Sequence, residues 1–286
     1  MRFSAICLII CSLMAAQKAA ALEICGDLKQ GELLLVKDKK SWQITFFNNL
    51  KERKYYPNEE GVFLAALHRD APQKFKIGIY GAGKSVVYKD LQIEPTKWDI
   101  QRINGVQQHK VTPNKEHQTE IDRERADLNQ VLALKTEADY WQSGFMQPVE
   151  GRISGNFGNQ RIFNGIPKSP HSGTDIAAAA GTPVRASADG IVVLSGKDYF
   201  YTGNMVIIDH GRGLQTIYAH LQEAKVTEGQ GVKKGEVIGL VGSTGRANGA
   251  HLHWGASLNG VRFNPRSLLN INEKKCFKLD SKAEGK

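Results

Sequence analysis

Side chains that could bind a metal ion or move protons are concentrated in the last third of the chain. Three separate segments supply them: His171 with Asp175, then His220, then His251 with His253. A neutral imidazole binds transition metals and exchanges protons near neutral pH, and catalytic zinc typically takes three histidine or carboxylate ligands and a water. A cluster drawn from three distant segments therefore predicts a zinc hydrolase centre.

The spacing within two of these segments indicates how the side chains could meet. His171 and Asp175 are four residues apart with Gly173 between them, so both can reach one ion from a bend that leads into a strand. His251 and His253 alternate along a predicted strand and therefore project from the same face. One of this pair can bind the ion while the other contacts the water or the developing oxyanion, and the spacing leaves open which.

The remaining imidazole, His220, ends a predicted strand over 214–219 and could be a second histidine that does not bind the metal. A metal with two such proton carriers suits peptide hydrolysis, because zinc acidifies water and polarises the carbonyl while imidazoles transfer the proton. Serine and cysteine mechanisms lack a nucleophile, since the sequence has no Gly-x-Ser-x-Gly motif and no cysteine in a reactive context. His210 is interpreted as a structural residue of a strand-end turn.

Several further motifs follow one another in the same region, from Gly151 to about Pro265. In chain order they are Asn156-Phe157-Gly158, His171-Ser172-Gly173-Thr174-Asp175-Ile176, Gly181-Thr182-Pro183-Val184, Tyr218-Ala219-His220-Leu221, Gly235-Glu236-Val237-Ile238-Gly239, and Gly245-Arg246 followed by His251-Leu252-His253-Trp254. Together they closely resemble the lysostaphin-type, or LytM-like, zinc endopeptidases, which cut peptide bridges in bacterial peptidoglycan.

The resemblance implies a role for each residue of the cluster. By their positions in the motifs, His171, Asp175 and His253 would bind one zinc ion. His220 and His251 would be the catalytic imidazoles. The resemblance thus assigns the ion to the second histidine of the pair only.

The resemblance also implies a small antiparallel β fold with a substrate groove walled by loops. Two candidate wall loops contain Asn164 and Tyr199-Phe200-Tyr201. The family's usual Phe-Gly-x-Arg motif is one residue longer here, Phe157-Gly158-Asn159-Gln160-Arg161, so no role is carried over to Arg161.

The chain as a whole is predicted to be mainly β, with two domains and a long linking helix. Residues 22–104 predict a small β-sandwich-like accessory domain, because short apolar runs alternate with turn residues. Residues 144–272 are rich in glycine, as tightly turning sheets are, and predict a C-terminal antiparallel β domain of the LytM type, a duplicated-hybrid-motif-like fold. Residues 273–286 are predicted to be a tail.

Residues 105–143 predict a linker followed by the long helix, which would lie across or between the domains. Thr112 is predicted to be its N-cap and Pro113 its first residue. Apolar residues recur on one predicted helical stripe, and they are Ile121, Leu128, Val131, Leu132 and Trp141.

The first 21 residues have the pattern of a secretory signal peptide. Arg2 precedes an apolar run over 3–14, and Ala19-Ala20-Ala21 offers a small-residue cleavage site. The run is too short for a stable membrane anchor, so we expect an exported protein. The periplasm is the expected location, and secretion is the alternative. Loss of Arg2 and Lys18 would lower the net charge from +9 to +7. Because the basic residues are dispersed, we expect a solvated surface and no nucleic-acid partner.

Two cysteines, Cys25 and Cys276, remain once residues 1–21 are removed. Two cysteines in an exported protein are expected to form a disulfide, because the compartment is oxidising. This pair would join the start of the mature chain to its tail.

The leading functional hypothesis is an exported zinc endopeptidase that hydrolyses peptide cross-links between peptidoglycan stems, with D,D-endopeptidase specificity. One alternative is a non-catalytic wall-binding or amidase-activating module that keeps the zinc for structure. A third, ranked last, is a carrier domain, since the hairpin over 226–241 resembles biotinyl and lipoyl carriers but has no lysine at its tip. An inhibitory or regulatory contact from the N-terminal domain, or from another envelope protein, is a further expectation.

Overall fold

The structure is a computed structural model, and it describes residues 22–47, 52–81 and 86–279. The predicted signal peptide over 1–21 lies outside the described residues. Among the helices of the described ranges, none is long and apolar enough to cross a membrane.

The N-terminal half forms the predicted β domain from two antiparallel sheets. Its strands are β1 (Leu22–Cys25), β2 (Leu33–Lys37), β3 (Ser41–Phe47), β4 (Glu52–Tyr55), β5 (Val62–Ala66), β6 (Lys74–Gly81) and β7 (Val86–Gln92). The next strand, β8 (Ile100–Ile103), belongs to neither sheet. One sheet has the order β4-β3-β6-β7, and the other contains β1, β2 and β5. Ile44 and Ile77 from the first sheet share one buried core cluster with Ile24 and Phe63 from the second.

Two helices follow, α1 (Gln108–Val111) and α2 (Lys115–Leu132). The prediction that Thr112 caps the long helix is wrong. The cap is Asn114, whose side chain accepts a hydrogen bond of 2.9 Å from the backbone N–H of His117. The side chain of Asn114, rather than that of Thr112, caps the first turn, so Pro113 precedes the cap and the helix begins at Lys115.

The long helix is also shorter than predicted. Helix α2 ends at Leu132, and Trp141 lies outside it, in a short 3₁₀ turn over Tyr140–Ser143. The prediction that Trp141 continues the helical stripe is therefore wrong. Trp141 is buried, and its backbone N–H donates to the carbonyl of His210, so it is held by the C-terminal domain.

The C-terminal domain is the predicted Gly-rich antiparallel β fold. Its strands are β9 (Arg152–Gly155), β10 (Gln160–Phe163), β11 (Ile166–Pro167), β12 (Gly173–Ala177), β13 (Pro183–Arg185), β14 (Gly190–Tyr199), β15 (Gly203–Asp209), β16 (Leu214–Ala224), β17 (Gly231–Val232), β18 (Val237–Val241), β19 (His251–Leu258) and β20 (Val261–Phe263). The main sheet has the order β17-β14-β15-β16-β19-β12-β9.

The centre of this sheet is buried on both faces. On one face, Leu128 and Val131 of α2 pack against Ile207 and Ile217. Tyr218, next to Ile217 on β16, belongs instead to the main core cluster. Strands covered on both sides are apolar throughout rather than alternating, which explains the apolar run Met205-Val206-Ile207-Ile208 of β15.

The C-terminal tail returns to the N-terminal domain. Residues Cys276–Leu279 form β21, which pairs antiparallel with β1 and adds a fourth strand to that sheet. Cys25 lies directly opposite Cys276 in this pairing, and the two form the predicted disulfide, with an S–S distance of 2.09 Å. The two ends of the described chain are thus covalently joined.

Candidate metal centre and groove

Strand register brings the predicted residues together. Asp175 on β12 is directly opposite His253 on β19, and His253 is in turn opposite Ala219 on β16, the residue before His220. His251 lies two positions from His253 on the same strand and therefore on the same face. All five predicted residues lie on these three strands or, like His171, just before β12. The prediction that His220 ends a strand is wrong, because β16 continues past it to Ala224.

Three of the five form a compact triangle of possible ligand atoms. His171 Nε2 lies 3.0 Å from Asp175 Oδ1, His253 Nδ1 lies 3.0 Å from the same oxygen, and the two nitrogens are 3.0 Å apart. Neighbouring ligands of a tetrahedral zinc are about 3.3 Å apart, given metal–ligand bonds of about 2.0–2.1 Å. The donor set and its spacing therefore fit one zinc ion with a position left for water.

The protonation of the two histidines suits ligation. His171 Nδ1 donates to the carbonyl of Asn156 at 2.9 Å, which leaves Nε2 with its lone pair facing the triangle. Burial lowers the pKa of His171, and it lowers that of His253 to about 4. Both imidazoles are thus neutral at pH 7, as metal binding requires.

Asp175 is held as a carboxylate. Burial alone would raise its pKa, but the neighbouring His171 and His253 outweigh burial and keep the pKa well below its usual range. Its second oxygen, Oδ2, accepts a hydrogen bond from the guanidinium of Arg161. Arg161 therefore orients the carboxylate that completes the triangle.

His220 lies beside the triangle and is held in an unusual backbone conformation. The register between β15 and β16 shifts here, with one extra residue on β16, so His220 sits at a β-bulge with φ of 62°. Its Nδ1 donates to the carbonyl of Thr244 at 2.8 Å, which leaves Nε2 free to accept a proton. The pKa of His220 is lowered to about 3, mainly by burial and to a smaller extent by the nearby His251 and His253. Its resting form is the neutral base.

His251 is at the more open side of the cluster. Its ring centroid is 4.8 Å from that of His220, and its Nε2 is 3.8 Å from Asp175 Oδ1. Its Nδ1 donates to the carbonyl of Gly249 at 2.8 Å, so Nε2 is the free nitrogen of this ring as well. Two imidazoles thus flank the triangle without belonging to it.

Two glycines allow the strands around the triangle to approach closely. A Cβ on Gly173 would lie 2.5 Å from the carbonyl oxygen of Trp254 and 2.7 Å from the imidazole of His253. A Cβ on Gly155 would lie 2.7 Å from Asp175 Oδ2. All three distances are shorter than real Cβ contacts, so these positions need glycine for the side chains to meet.

His210, which was predicted to be structural, lies outside the cluster and is buried. Its Nδ1 donates to the carbonyl of Asp189 at 2.7 Å, and its Nε2 is 2.7 Å from the hydroxyl of Thr216. Both ring nitrogens are therefore occupied by the fold, and burial lowers the pKa of His210 to about 4.

A cavity of about 400 Å³ opens next to the triangle and is lined by Asp175 and His251. Residues 101–104 and Val106 form one side of it, so the linker after β8 helps to build the groove. Strand β8 pairs parallel with β10, the first strand of a hairpin whose turn is Asn164-Gly165. Both turn residues have positive φ, the conformation that Asn-Gly favours in a two-residue hairpin.

Both candidate wall loops contact the linker. The side-chain amide of Asn164 makes two hydrogen bonds with the backbone of Val106. Its Nδ2 donates to the Val106 carbonyl at 2.7 Å, and its Oδ1 accepts from the Val106 N–H at 3.3 Å. On the other wall, Lys110 Nζ donates to the carbonyl of Phe200 at 2.7 Å and lies 3.9 Å from the centre of its ring. The linker therefore bridges the two walls.

Several residues that contact the site were not predicted from the sequence. Arg161 was given no role, yet it bonds to Asp175, and the longer motif accommodates this because Gln160 and Arg161 lie on β10. The carbonyls of Asn156, Thr244 and Gly249, which fix the three imidazoles, could not be found from residue type, since every residue has a carbonyl. Only the fold determines which ones face the histidines.

Residues 169–265 match the sequence family described as Peptidase family M23. The chain is 53% identical over 98 residues to the DD-carboxypeptidase/endopeptidase Mpg of Neisseria meningitidis serogroup B, a match that covers 34% of this chain and 22% of the relative. It is 38% identical over 153 residues to the peptidoglycan DD-endopeptidase ShyA of Vibrio cholerae serotype O1, covering 50% of this chain and 35% of the relative. The matches thus span about a third or less of these curated relatives.

A solved structure extends the likeness to most of the chain. The crystal structure of a Pseudomonas aeruginosa protein assigned to peptidase M23 superposes with a TM-score of 0.65 at 27% sequence identity. The superposition covers 86% of this chain and 97% of the other. The similarity therefore includes the N-terminal β domain as well as the region of the histidine cluster.

Proposed function

Because this chain carries a LytM-like, lysostaphin-type domain of peptidase family M23, we propose that it is an exported zinc endopeptidase that hydrolyses peptide cross-links of peptidoglycan, with D,D-endopeptidase specificity. The observation that carries the proposal is the meeting of five side chains from three neighbouring strands, three converging on one point and two flanking it. The names of the two curated relatives support the substrate and the bond type.

The chain's own residues divide the work of hydrolysis. His171, Asp175 and His253 would hold one zinc ion, which acidifies water and polarises the scissile carbonyl. His220, neutral and with Nε2 free, accepts the proton of the attacking water and returns it to the leaving amine. His251 Nε2 faces the same space and hydrogen-bonds the water, while Arg161 holds Asp175 in place.

Export and a periplasmic location are part of the same proposal. The segment over 1–21 has the signal-peptide pattern, and Cys25 forms a disulfide with Cys276, a bond typical of oxidising compartments. Pulse labelling of the full-length protein should yield a shortened form in the extracytoplasmic fraction. Retention of residues 1–21 in the cytoplasm would contradict this part of the proposal.

The activity is tested with purified mature protein and isolated sacculi. We expect the protein to remove cross-linked muropeptides from the sacculi. After a chelator has removed the metal, the protein should leave the cross-links intact, and one equivalent of zinc should restore its activity. Stimulation of an amidase without any change in cross-linked fragments would instead support the non-catalytic alternative.

The N-terminal domain, through the linker that follows it, is proposed to regulate access to the groove. The contacts of Val106 with Asn164 and of Lys110 with Phe200 support this, because they bridge the two walls. Lys110→Ala removes one of these contacts and should raise the initial rate on sacculi relative to the wild type. An unchanged or lower rate would contradict the proposed regulation.

A further inference from the structure

Arg246 occupies an unusual position in the groove. Its guanidinium lies between two aromatic rings, 4.6 Å from the centre of Phe163 and 4.2 Å from that of Tyr201. Its backbone N–H donates to the carbonyl of Tyr201 at 2.9 Å, which fixes the base of the side chain. Stacking on two rings holds the planar guanidinium in one orientation and leaves its edge, where the N–H donors are, unused.

No carboxylate of the described residues pairs with this guanidinium. Burial lowers the pKa of Arg246 to about 10, so the group remains charged at neutral pH. A half-buried cation without a counter-ion is unfavourable, and stacking offsets only part of that cost. Such an arrangement is typical of a binding site whose anion comes from the ligand.

The cavity around Arg246 is electropositive. Three arginines line it, Arg102, Arg161 and Arg246, against one carboxylate, Asp175. The one carboxylate, Asp175, is already paired with Arg161. The other two arginines therefore have no ionic partner among the residues that line the cavity. Arg102 is exposed and solvated, whereas Arg246 is half-buried and held by its two rings.

We propose that Arg246, assisted by Arg102, binds a free carboxylate of the substrate, so that the preferred substrate is an acidic peptide whose carboxylate lies within the cavity beside Asp175 and His251. The inference deepens the proposed peptidase function and rests on it. A guanidinium presents paired N–H donors that match the two oxygens of a carboxylate, which a neutral amide cannot replace.

The test uses two peptides that differ only in the anion. One is N,N′-diacetyl-L-lysyl-D-alanyl-D-alanine, whose single carboxylate is terminal, and the other is the same peptide as its terminal carboxamide. Binding is measured by calorimetry in a zinc-loaded His220→Ala background, so that bound peptide is not consumed. We expect the carboxylate peptide to bind about 10- to 100-fold more tightly, as charge-assisted hydrogen bonds imply.

The variants assign the preference to its residue. Arg246→Gln should reduce the preference to about one, Arg246→Lys should retain part of it, and Arg102→Gln should reduce it less. Arg266→Gln, at an exposed arginine outside the cavity, is the matched control and should keep the full preference. Circular dichroism and the melting temperature establish that each variant is folded.

Equal binding of the two peptides by the His220→Ala protein would overturn the inference, even if Arg246→Gln failed to fold. An undiminished preference in folded Arg246→Gln would also overturn it. Hydrolysis is recorded separately with the wild-type enzyme. A carboxylate preference in binding without hydrolysis of sacculi would contradict the proposed function while supporting the role of Arg246.

Discussion

The proposed division of labour among the histidines depends on where the free nitrogen of each ring lies. Backbone carbonyls accept from Nδ1 of His171, His220 and His251, so all three rings present Nε2. His253 differs, because its Nδ1 faces Asp175 and His171. Whether the free nitrogen of a ring lies in the triangle or beside it therefore separates the proposed ligands from the proposed proton carriers.

Metal content should separate the two groups of histidines. His171→Ala and His253→Ala each remove a corner of the triangle, and we expect bound zinc to fall from about one equivalent to near zero, since three protein ligands are the usual minimum. His220→Ala and His251→Ala should retain about one equivalent. Atomic emission spectroscopy after gel filtration measures this, and metal retained by His253→Ala would contradict the assignment.

His210 should make stability depend on pH independently of the metal. Its folded pKa of about 4 lies below the ordinary 6.5, so its contribution is fully present above pH 6.5 and is lost as the pH falls towards 4. This difference corresponds to about 3 kcal/mol. In urea titrations, His210→Gln should show a shallower fall in unfolding free energy over this range. Identical slopes for variant and wild type would refute the prediction.

At the residue scale, the sequence predicted side chains but not their partners. His171, Asp175 and His253 could be predicted because their spacing and motifs recur in a known family. The bond from Arg161 to Asp175 could not, because it depends on how β10 lies against β12 after folding. The positive φ of His220 is likewise a product of the bulge in β16 and has no signature in residue type.

At the scale of strands, the site depends on the close approach of β12 and β19. Gly173 has no side chain where a Cβ would meet the backbone of Trp254 and the ring of His253. The pairing of Asp175 with His253 across these strands then brings a carboxylate and an imidazole within 3.0 Å. A glycine is therefore as necessary to the metal site as its ligands.

Gly173→Ala should disturb the site more than the fold. We expect a loss of about 1–3 kcal/mol in unfolding free energy from overpacking, together with much weaker zinc binding, because His253 must move. Gly231→Ala is the matched control, since its Cβ would meet only Ile191 at 3.7 Å. Normal zinc affinity in Gly173→Ala, measured by competition with a chromophoric chelator, would show that close approach is not required.

The elements themselves were predictable to different degrees. An apolar run identified β15, because a strand buried on both faces is continuously apolar. The helix was placed correctly only in its middle, because Pro113 and Asn114 together move its start and the chain leaves the helical conformation after Leu132. The pairing of β8 with β10 joins distant segments and has no local signal.

At the scale of the whole molecule, the disulfide between Cys25 and Cys276 links residues 251 positions apart. It fixes β21 against β1 and so adds the last described residues to the N-terminal sheet. In the chain-entropy view, closing such a long loop restricts the unfolded state strongly. The two domains are thereby part of one covalent ring.

Reduction of this bond should destabilise the molecule by about 3–5 kcal/mol. Guanidinium unfolding of the wild type, with and without a reducing agent, measures the difference. The double variant Cys25→Ser/Cys276→Ser should match the reduced wild type and should not respond to the reducing agent. Equal midpoints for the oxidised and reduced wild type would contradict this expectation.

The central claim, that His220 performs catalysis at a zinc site it does not help to build, is tested most directly by chromatography of muropeptides. Sacculi are digested with wild-type protein and with His220→Ala, each carrying one equivalent of zinc. We predict that the wild type removes cross-linked muropeptides and that the variant is slower by about 10²- to 10⁴-fold, the usual contribution of a general base. Equal loss of cross-links with both proteins would contradict the claim.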